Sequence, residues 1–369
     1  MSDKEKTSRR QFLLGQSAFA AVDEWTDEGS SNVSQSFEKD LNSSKQPAYL
    51  IQVSRRAMAC EFSVFLNAGE NGITTEKAVD ALDLVEVLEA QMTVYRNNSE
   101  VSLINASAAQ TPVKVESLLF LLFLRSVELC DATAGAFDIT SGPLSKIWGF
   151  HRREGRVPDA ESIAAGLEFV GSNLLELDKE KETIFFKNPG LEINLGGIGK
   201  GYALDRSAEL LCENGVESFL IHGGQSSVAA RGRRASGSSE TVGWSVGLKH
   251  PLRPDRRLAE IYLTDQALST SGSATQSFRY QGRRFGHILD PRNGQPAEGV
   301  LSSTVVAPDA ATADALSTAF YVIGVDESLS FCRRHPEIGA ILVTEATKSG
   351  GLTIRSIGLD DKKWTCFAD

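Results

Sequence analysis

Cysteine is scarce in this 369-residue chain, with five in all: Cys60, Cys130, Cys212, Cys332 and Cys366. They are scattered, odd in number and form no C-x-x-C pair, which argues against a disulfide framework and against a zinc or iron–sulfur site. Histidine is as rare, at five residues without H-E-x-x-H spacing. Any metal is therefore expected on oxygen ligands, which points to a hard cation such as magnesium. No run approaches the roughly 20 apolar residues that a bilayer span requires, so no transmembrane segment is expected. Basic charge is in deficit, with 38 Lys plus Arg against 48 Asp plus Glu and a formal charge of −10. That excludes a bulk-electrostatic grip on nucleic acid or anionic membrane and leaves room only for a local basic cleft. What remains, 41% hydrophobic and 23% charged residues, is the composition of a globular protein long enough to bury a substantial core.

The N-terminal segment reads as an address. Ser8-Arg9-Arg10-Gln11-Phe12-Leu13-Leu14 has the form of a twin-arginine export signal. The apolar run Phe12 to Val22 follows, with Ala18-Phe19-Ala20 as a small-residue cleavage candidate. Residues 1–22 are assigned to this signal, which implies the periplasmic or exported face of a bacterial inner membrane. The alternative is a short basic helix on a cytoplasmic protein. Residues 23–46 are acidic and rich in Ser and Asn, a composition too poor in apolar surface to offset its ordering entropy, so they read as a linker. One domain is expected over 47–369.

Within that domain, Tyr49 to Leu66 is rich in β-branched and aromatic residues and reads as one or two strands. Apolar spacing predicts a helix over Thr75 to Met92, with Thr75 placed to cap it. A strongly apolar helix over Glu116 to Cys130 is expected to be buried on most sides. Leu174 to Phe186 reads as a hairpin turning at Asp178-Lys179-Glu180. Gly201 to Asn214 reads as a helix stopped by Gly215. Short strands are expected at Ser218 to His222 and Trp244 to Leu248, a helix over Thr312 to Ile323, and a closing strand over Gly339 to Thr344. Strands and helices alternate without a Rossmann rhythm, which leaves an α+β or mixed α/β class.

Four clusters carry candidate chemistry. Asn194-Leu195-Gly196-Gly197-Ile198-Gly199-Lys200-Gly201 joins an apolar strand to a helix. Closely spaced glycines admit a ligand to the backbone, a helix start attracts phosphate, and Lys200 adds a point charge. The spacing fits neither a P-loop nor a dinucleotide fingerprint, and a plain tight turn remains the alternative. His287-Ile288-Leu289-Asp290-Pro291-Arg292-Asn293-Gly294 offers a histidine as general base, or else a hairpin turn. Asp314 and Thr318, four apart on a helix, would present a carboxylate and a hydroxyl on one face as magnesium ligands; the plainer reading makes Asp314 an N-terminal cap. Ala136-Phe137-Asp138, with Trp148 close behind, suits a planar ligand or core packing equally.

Together these blocks resemble the ApbE family, the FAD:protein FMN transferases. The resemblance runs from about Met58 to the C-terminal strand. It includes Met58-Ala59-Cys60-Glu61-Phe62-Ser63, Met92-Thr93-Val94-Tyr95, Ile221-His222-Gly223-Gly224 and Ser269-Thr270-Ser271-Gly272 in addition to the four clusters, and their order and spacing carry it. It implies an α+β fold of two closely packed subdomains, with mixed sheets, flanking helices and a flavin site in the cleft. It also implies that Met58, Tyr95, Ala136, Phe137, Asp138, Asn194, Lys200 and Ile288 line the FAD site. Gly197, Asp314 and Thr318 would hold Mg2+, and His287 with Lys200 would serve catalysis. The implied reaction splits FAD, esterifies FMN to a threonine of a partner electron-transfer protein and releases AMP. Alternatives are an FAD pyrophosphatase and a catalytically weak FAD-binding protein. The chain departs from the family pattern at Asn194, where an acid is usual, at Ala59-Cys60 in place of Gly-Thr, and at Gln225.

Overall fold

The computed structural model describes residues 49–68, 73–152, 154–235, 243–272, 277–346 and 351–367; the twin-arginine stretch and the acidic segment after it lie outside the described residues. Strands β1 (Leu50–Ala57) and β2 (Cys60–Asn67) form a hairpin in which Ala57 pairs with Cys60. Its two turn residues, Met58 and Ala59, have φ of 48° and 59°, the doubly left-handed conformation whose twist matches paired strands. Helix α1 (Ile73–Met92) begins ahead of Thr75, so Thr75 sits in its first turn and does not cap it. Helix α2 (Glu100–Ser107) is capped by Ser99, whose Oγ accepts the Ser102 N–H at 3.0 Å.

Strand β3 (Val113–Lys114) leads into α3 (Ser117–Ala132), whose first N–H groups, of Leu118 and Leu119, donate to the Glu116 carboxylate, each at 3.0 Å. This helix buries one face through Leu119, Phe120, Leu122 and Phe123 but leaves Leu121 57% exposed. It is not covered on most sides, as its apolar count suggested. Short helices α4 (Gly142–Ile147) and α5 (Ala160–Leu167) follow. The expected hairpin is β4 (Leu175–Asp178) with β5 (Thr183–Phe186). Its turn is fixed because Asp178 Oδ1 accepts the N–H groups of Glu180 and Lys181.

Helix α6 (Gly199–Glu213) ends at Gly215, φ 78°. Beyond it come β6 (Phe219–Gly223), β7 (Ser227–Arg231), β8 (Trp244–Lys249), β9 (Arg257–Leu263), β10 (Gln266–Gly272), β11 (Ser277–Tyr280), β12 (Arg283–Gly286) and β13 (Ser302–Ala307). Helix α7 (Ala310–Ile323) is capped by Asp309, which accepts the Thr312 N–H at 2.7 Å; Asp314 is therefore not the cap. After α8 (Val325–Arg334), strand β14 (Gly339–Glu345) is followed by β15 (Leu352–Ile357) and β16 (Trp364–Cys366), so β14 does not close the fold.

The main sheet has eight strands in the order β1-β2-β6-β7-β10-β13-β14-β15, and smaller sheets run β16-β9-β8, β3-β5-β4 and β11-β12. Every pairing between these strands is antiparallel, so the sheets are antiparallel where mixed ones were expected, within the α+β class. Period-2 alternation divides the core. Phe219, Ile221, Ala229, Ala267 and Leu342 face the helices. Leu220, Val228, Leu268, Ile341 and Val343 face β8 and β9 through Trp244, Leu248 and Ile261. The described residues belong to one compact unit. Helix α6 meets α7 at Gly201: a Cβ there would stand 2.1 Å from the Ala310 carbonyl oxygen, so only a residue without one lets the helices approach this closely.

Candidate active site

The tight α6–α7 contact places two charges side by side. Lys200, at the start of α6, extends Nζ to 3.3 Å from both carboxylate oxygens of Asp314 on α7. The carboxylate is 3% exposed and accepts three further bonds: Gly201 N–H to Oδ2 at 3.1 Å, and Ser269 and Ser227 hydroxyls to Oδ1 at 3.0 and 3.3 Å. A buried carboxylate is stable only when paired and hydrogen-bonded in this way. Asp205, one turn beyond Gly201, accepts the Ala310 and Ala311 N–H groups at 2.7 and 2.8 Å and so ties α6 to the start of α7. Burial pushes its carboxyl up to about 7 against the pull of those two bonds.

Strand alternation supplies the hydroxyls. Ala267 faces the helices, and Ser269 and Ser271, two and four residues on, point the same way. Ser271 Oγ lies 2.9 Å from Ser317 Oγ and 3.2 Å from Thr318 Oγ1. Ser317 and Thr318 bond back to the Asp314 carbonyl at 2.9 and 3.3 Å. Gly197 closes this group: a Cβ on it would lie 3.8 Å from Thr318 Oγ1 and 3.3 Å from the Phe137 ring. Gly197, Lys200, Asp314 and Thr318 are thus contiguous, with Phe137 beside them. Among the described residues there is no group of three or more His, Cys, Asp or Glu able to hold a metal. The donor set is one carboxylate with hydroxyls and a backbone carbonyl, all oxygen, which fits a hard cation.

The other expected residues sit as follows. Met58 lies in the β1–β2 turn, and the adjacent Cys60 Cβ and Sγ would each stand 3.1 Å from a Cβ on Gly224. Burial pushes the Cys60 thiol up, opposed by the positive charge of Lys200. Asn194 Oδ1 accepts the Gly196 N–H at 2.9 Å, which fixes the turn into the glycine loop. Ala136 and Phe137 are buried. Asp138 is structural in this fold: it accepts the Thr140 N–H and hydroxyl and the Ser172 N–H and hydroxyl at 2.7–2.9 Å. Cys130 Sγ is 3.3 Å from it, and burial with this carboxylate lifts that thiol to about 12.

Tyr95 is 68% exposed, and its ring stacks on His151 with centroids 4.8 Å apart. His287 is half-buried in the bend after β12, and the next residue, Ile288, is buried and accepts the Ala297 N–H at 2.9 Å. Asp290 binds the Arg292 guanidinium at 2.9 Å through both Nε and Nη2, together with Asn293. It serves its own turn, which is locked by the Trp148 Nε1–H donating to the Gly294 carbonyl. Phe150, next to His151 in sequence, lies 5.5 Å from Phe278 of β11, and β12, paired with β11, runs into His287. Sequence reasoning passed over His151, Asp205, Ser227 and Ser317. Alternation along β7 was a usable signal for Ser227; nothing in the sequence paired His151 with Tyr95.

The ApbE family pattern matches residues 17–342, beginning ahead of residue 47. This chain belongs to the ApbE family. The FAD:protein FMN transferase of Haemophilus influenzae is 30% identical over 297 residues, 78% of this chain and 84% of that protein. One from Klebsiella pneumoniae is 34% identical over 267 residues, 71% of this chain and 80% of its own. Among solved structures, the ApbE protein of Thermotoga maritima superposes with a TM-score of 0.74 at 29% identity, over 83% of this chain and 96% of that one. The apo flavinyl transferase ApbE of Pseudomonas stutzeri gives 0.73 at 28%, over 85% and 96%.

Proposed function

We propose that this protein transfers FMN from FAD to a threonine hydroxyl on an acceptor domain of an electron-transfer protein, with Mg2+ bound and AMP released. The observation that carries the reading is the buried Asp314 carboxylate, held beside Lys200 at the mouth of a glycine loop and ringed by hydroxyls. The names of its ApbE relatives support the transfer. Mg2+ would be held by the Gly197 carbonyl, Asp314 and Thr318, and would supply charge neutralisation at the FAD pyrophosphate. Lys200 would meet the same phosphates once Asp314 has another cation, and would stabilise the charge that gathers on the departing AMP phosphate. The glycine loop at the start of α6 offers backbone N–H groups to that charge. Tyr95 on His151 gives a planar surface for a ring of the dinucleotide. His287 takes the proton from the acceptor threonine as its oxygen bonds to the FMN phosphorus and the P–O bond to AMP breaks; such a base contributes about 10²–10⁴-fold. Residues 1–22, read as a twin-arginine signal, place the mature protein on the exported side of the membrane. Mass spectrometry of a threonine-bearing acceptor domain incubated with the protein, FAD and Mg2+ tests the reading. A gain of one FMN, lost in Asp314→Asn with its circular dichroism unchanged, is expected. FMN and AMP released with no modified acceptor would replace transfer by hydrolysis, and FAD left intact would leave binding alone.

A further inference from the structure

Tyr95 is a large ring left in solvent, and one neighbour sets its position. Its backbone N–H donates to Thr93 Oγ1 at 3.2 Å. Among the described residues its side chain has no hydrogen-bond or ring partner besides His151, which stacks on it at an interplanar angle of 24°. The two rings come from elements anchored on one segment. On the Tyr95 side, the Ser99 and Ser102 hydroxyls at the start of α2 donate to the Thr93 carbonyl. Helix α2 in turn clamps the N–H and carbonyl of Ile193 with the Asn105 side-chain amide, at 2.8 and 2.9 Å. His151 follows α4, whose Lys146 Nζ donates to Glu192 Oε1 at 2.5 Å. A Cβ on Gly142 of α4 would lie 3.0 Å from the Glu192 carbonyl oxygen. Glu192 and Ile193 run directly into Asn194 and the glycine loop. Met92, which ends α1 just ahead of Tyr95, has its Cε 3.8 Å from where a Cβ on Gly199 of that loop would stand. Burial, followed by the Lys146 charge, holds the His151 imidazole below its ordinary range against the pull of Glu192. At neutral pH it therefore meets Tyr95 as an uncharged ring.

We infer that His151 is a positioning residue: packed on one face of Tyr95, it holds the tyrosine ring still with the other face turned to a ring of FAD. This rests on the transfer reading, which makes FAD the ligand. His151 acts through Tyr95 and need not touch the dinucleotide. A side chain held before the ligand arrives loses less freedom on binding, and a stacked aromatic pair is favourable beyond the area it buries. The imidazole nitrogens are not required, so another flat ring of similar size would serve. A direct grip of His151 on phosphate would need its protonated form, which burial and Lys146 disfavour.

The test measures FAD affinity of the full chain by quenching of flavin fluorescence, without added Mg2+. His151→Ala should weaken FAD binding by about 2- to 10-fold, the range of one aromatic pair, and Tyr95→Ala by at least as much. The double variant should bind no more weakly than Tyr95→Ala alone, because His151 then has no ring left to hold. His151→Phe rebuilds the stack and should return the affinity to within about twofold of wild type. Equal affinity of wild type and His151→Ala, losses that multiply in the double variant, or His151→Phe as weak as His151→Ala would each overturn the positioning role. A fold disturbed by His151→Ala would weaken binding in the Tyr95→Ala background as well, so the double variant separates loss of the platform from loss of the fold. Wild-type protein that neither binds FAD nor releases FMN would overturn the transfer reading and this inference together. Wild-type protein that binds FAD and modifies the acceptor, with His151→Ala unaltered in affinity, would overturn the inference alone.

Discussion

At the scale of single residues, Asp314 and Lys200 behave as one unit. Replacing Asp314 by Asn leaves a half-buried ammonium without its counter-charge and should cost about 1–3 kcal/mol in urea unfolding. Adding Lys200→Met should return part of that loss, with a coupling of about 0.5–3 kcal/mol as expected for residues in direct contact. Additive losses would mean the two do not interact in solution. Ala59 offers the opposite kind of change. It holds φ 59° in the β1–β2 turn, a conformation that costs a residue with a Cβ but not glycine. Ala59→Gly should therefore stabilise the fold by about 0.5–1 kcal/mol, read as a higher urea midpoint with an unchanged slope; a lower midpoint would show that Ala59 is unstrained. The departure from Met-Gly-Thr in the first family block is thus a small stability cost at the turn, borne by Ala59.

At the scale of elements, the site depends on how α6 lies on α7. Gly201→Ala would press a methyl group against the Ala310 carbonyl, force the helices apart and pull Lys200 from Asp314. A loss of about 1–3 kcal/mol or more is expected, together with lost flavin transfer, although neither charged group is altered. Asp205 joins the same two helices and carries a pH signature. Its pKa is raised by burial to about 7, above the unfolded value near 3.9. Its stabilisation is therefore complete below about pH 4 and is lost as pH rises through about 7. Asp205→Asn, which mimics the protonated form, should gain stability relative to wild type steadily from pH 4 to 7 and hold a constant difference above that. A difference that does not vary with pH would place the Asp205 pKa at its ordinary value. The elements themselves were largely legible: helical spacing located α1, α6 and α7, and the Asp178 turn located β4 and β5. The misses have physical causes. The apolar residues of α3 outnumber the area available to cover them, so Leu121 stays in solvent. The capping role fell to Asp309, because a cap is set by where the backbone leaves β13, which spacing of apolar residues does not report.

At the scale of the whole molecule, order along the chain told more than any one residue. Gly197, Lys200, Asp314 and Thr318 come from blocks far apart in sequence that together resemble one family, and the fold brings those four close to one another. Asp138 belongs to another of those blocks, and its carboxylate is taken up by Thr140 and Ser172. A motif reports that a residue type is needed, without saying whether the ligand or the scaffold needs it. The export reading is a property of the entire polypeptide and has its own test: Arg9→Lys with Arg10→Lys should hold the protein in the cytoplasm on cell fractionation, and unchanged export would remove the twin-arginine assignment. The hydroxyls of Ser227, Ser269 and Ser271 on the sheet and of Ser317 and Thr318 on α7 form one layer. Each can turn its O–H about one bond, so the layer acts as a fixed, ready-made solvent around Asp314. Were another cation to take the place of the Lys200 ammonium, these hydroxyls could turn to follow it while the backbone of sheet and helix stayed in place, which would keep the reorganisation energy small.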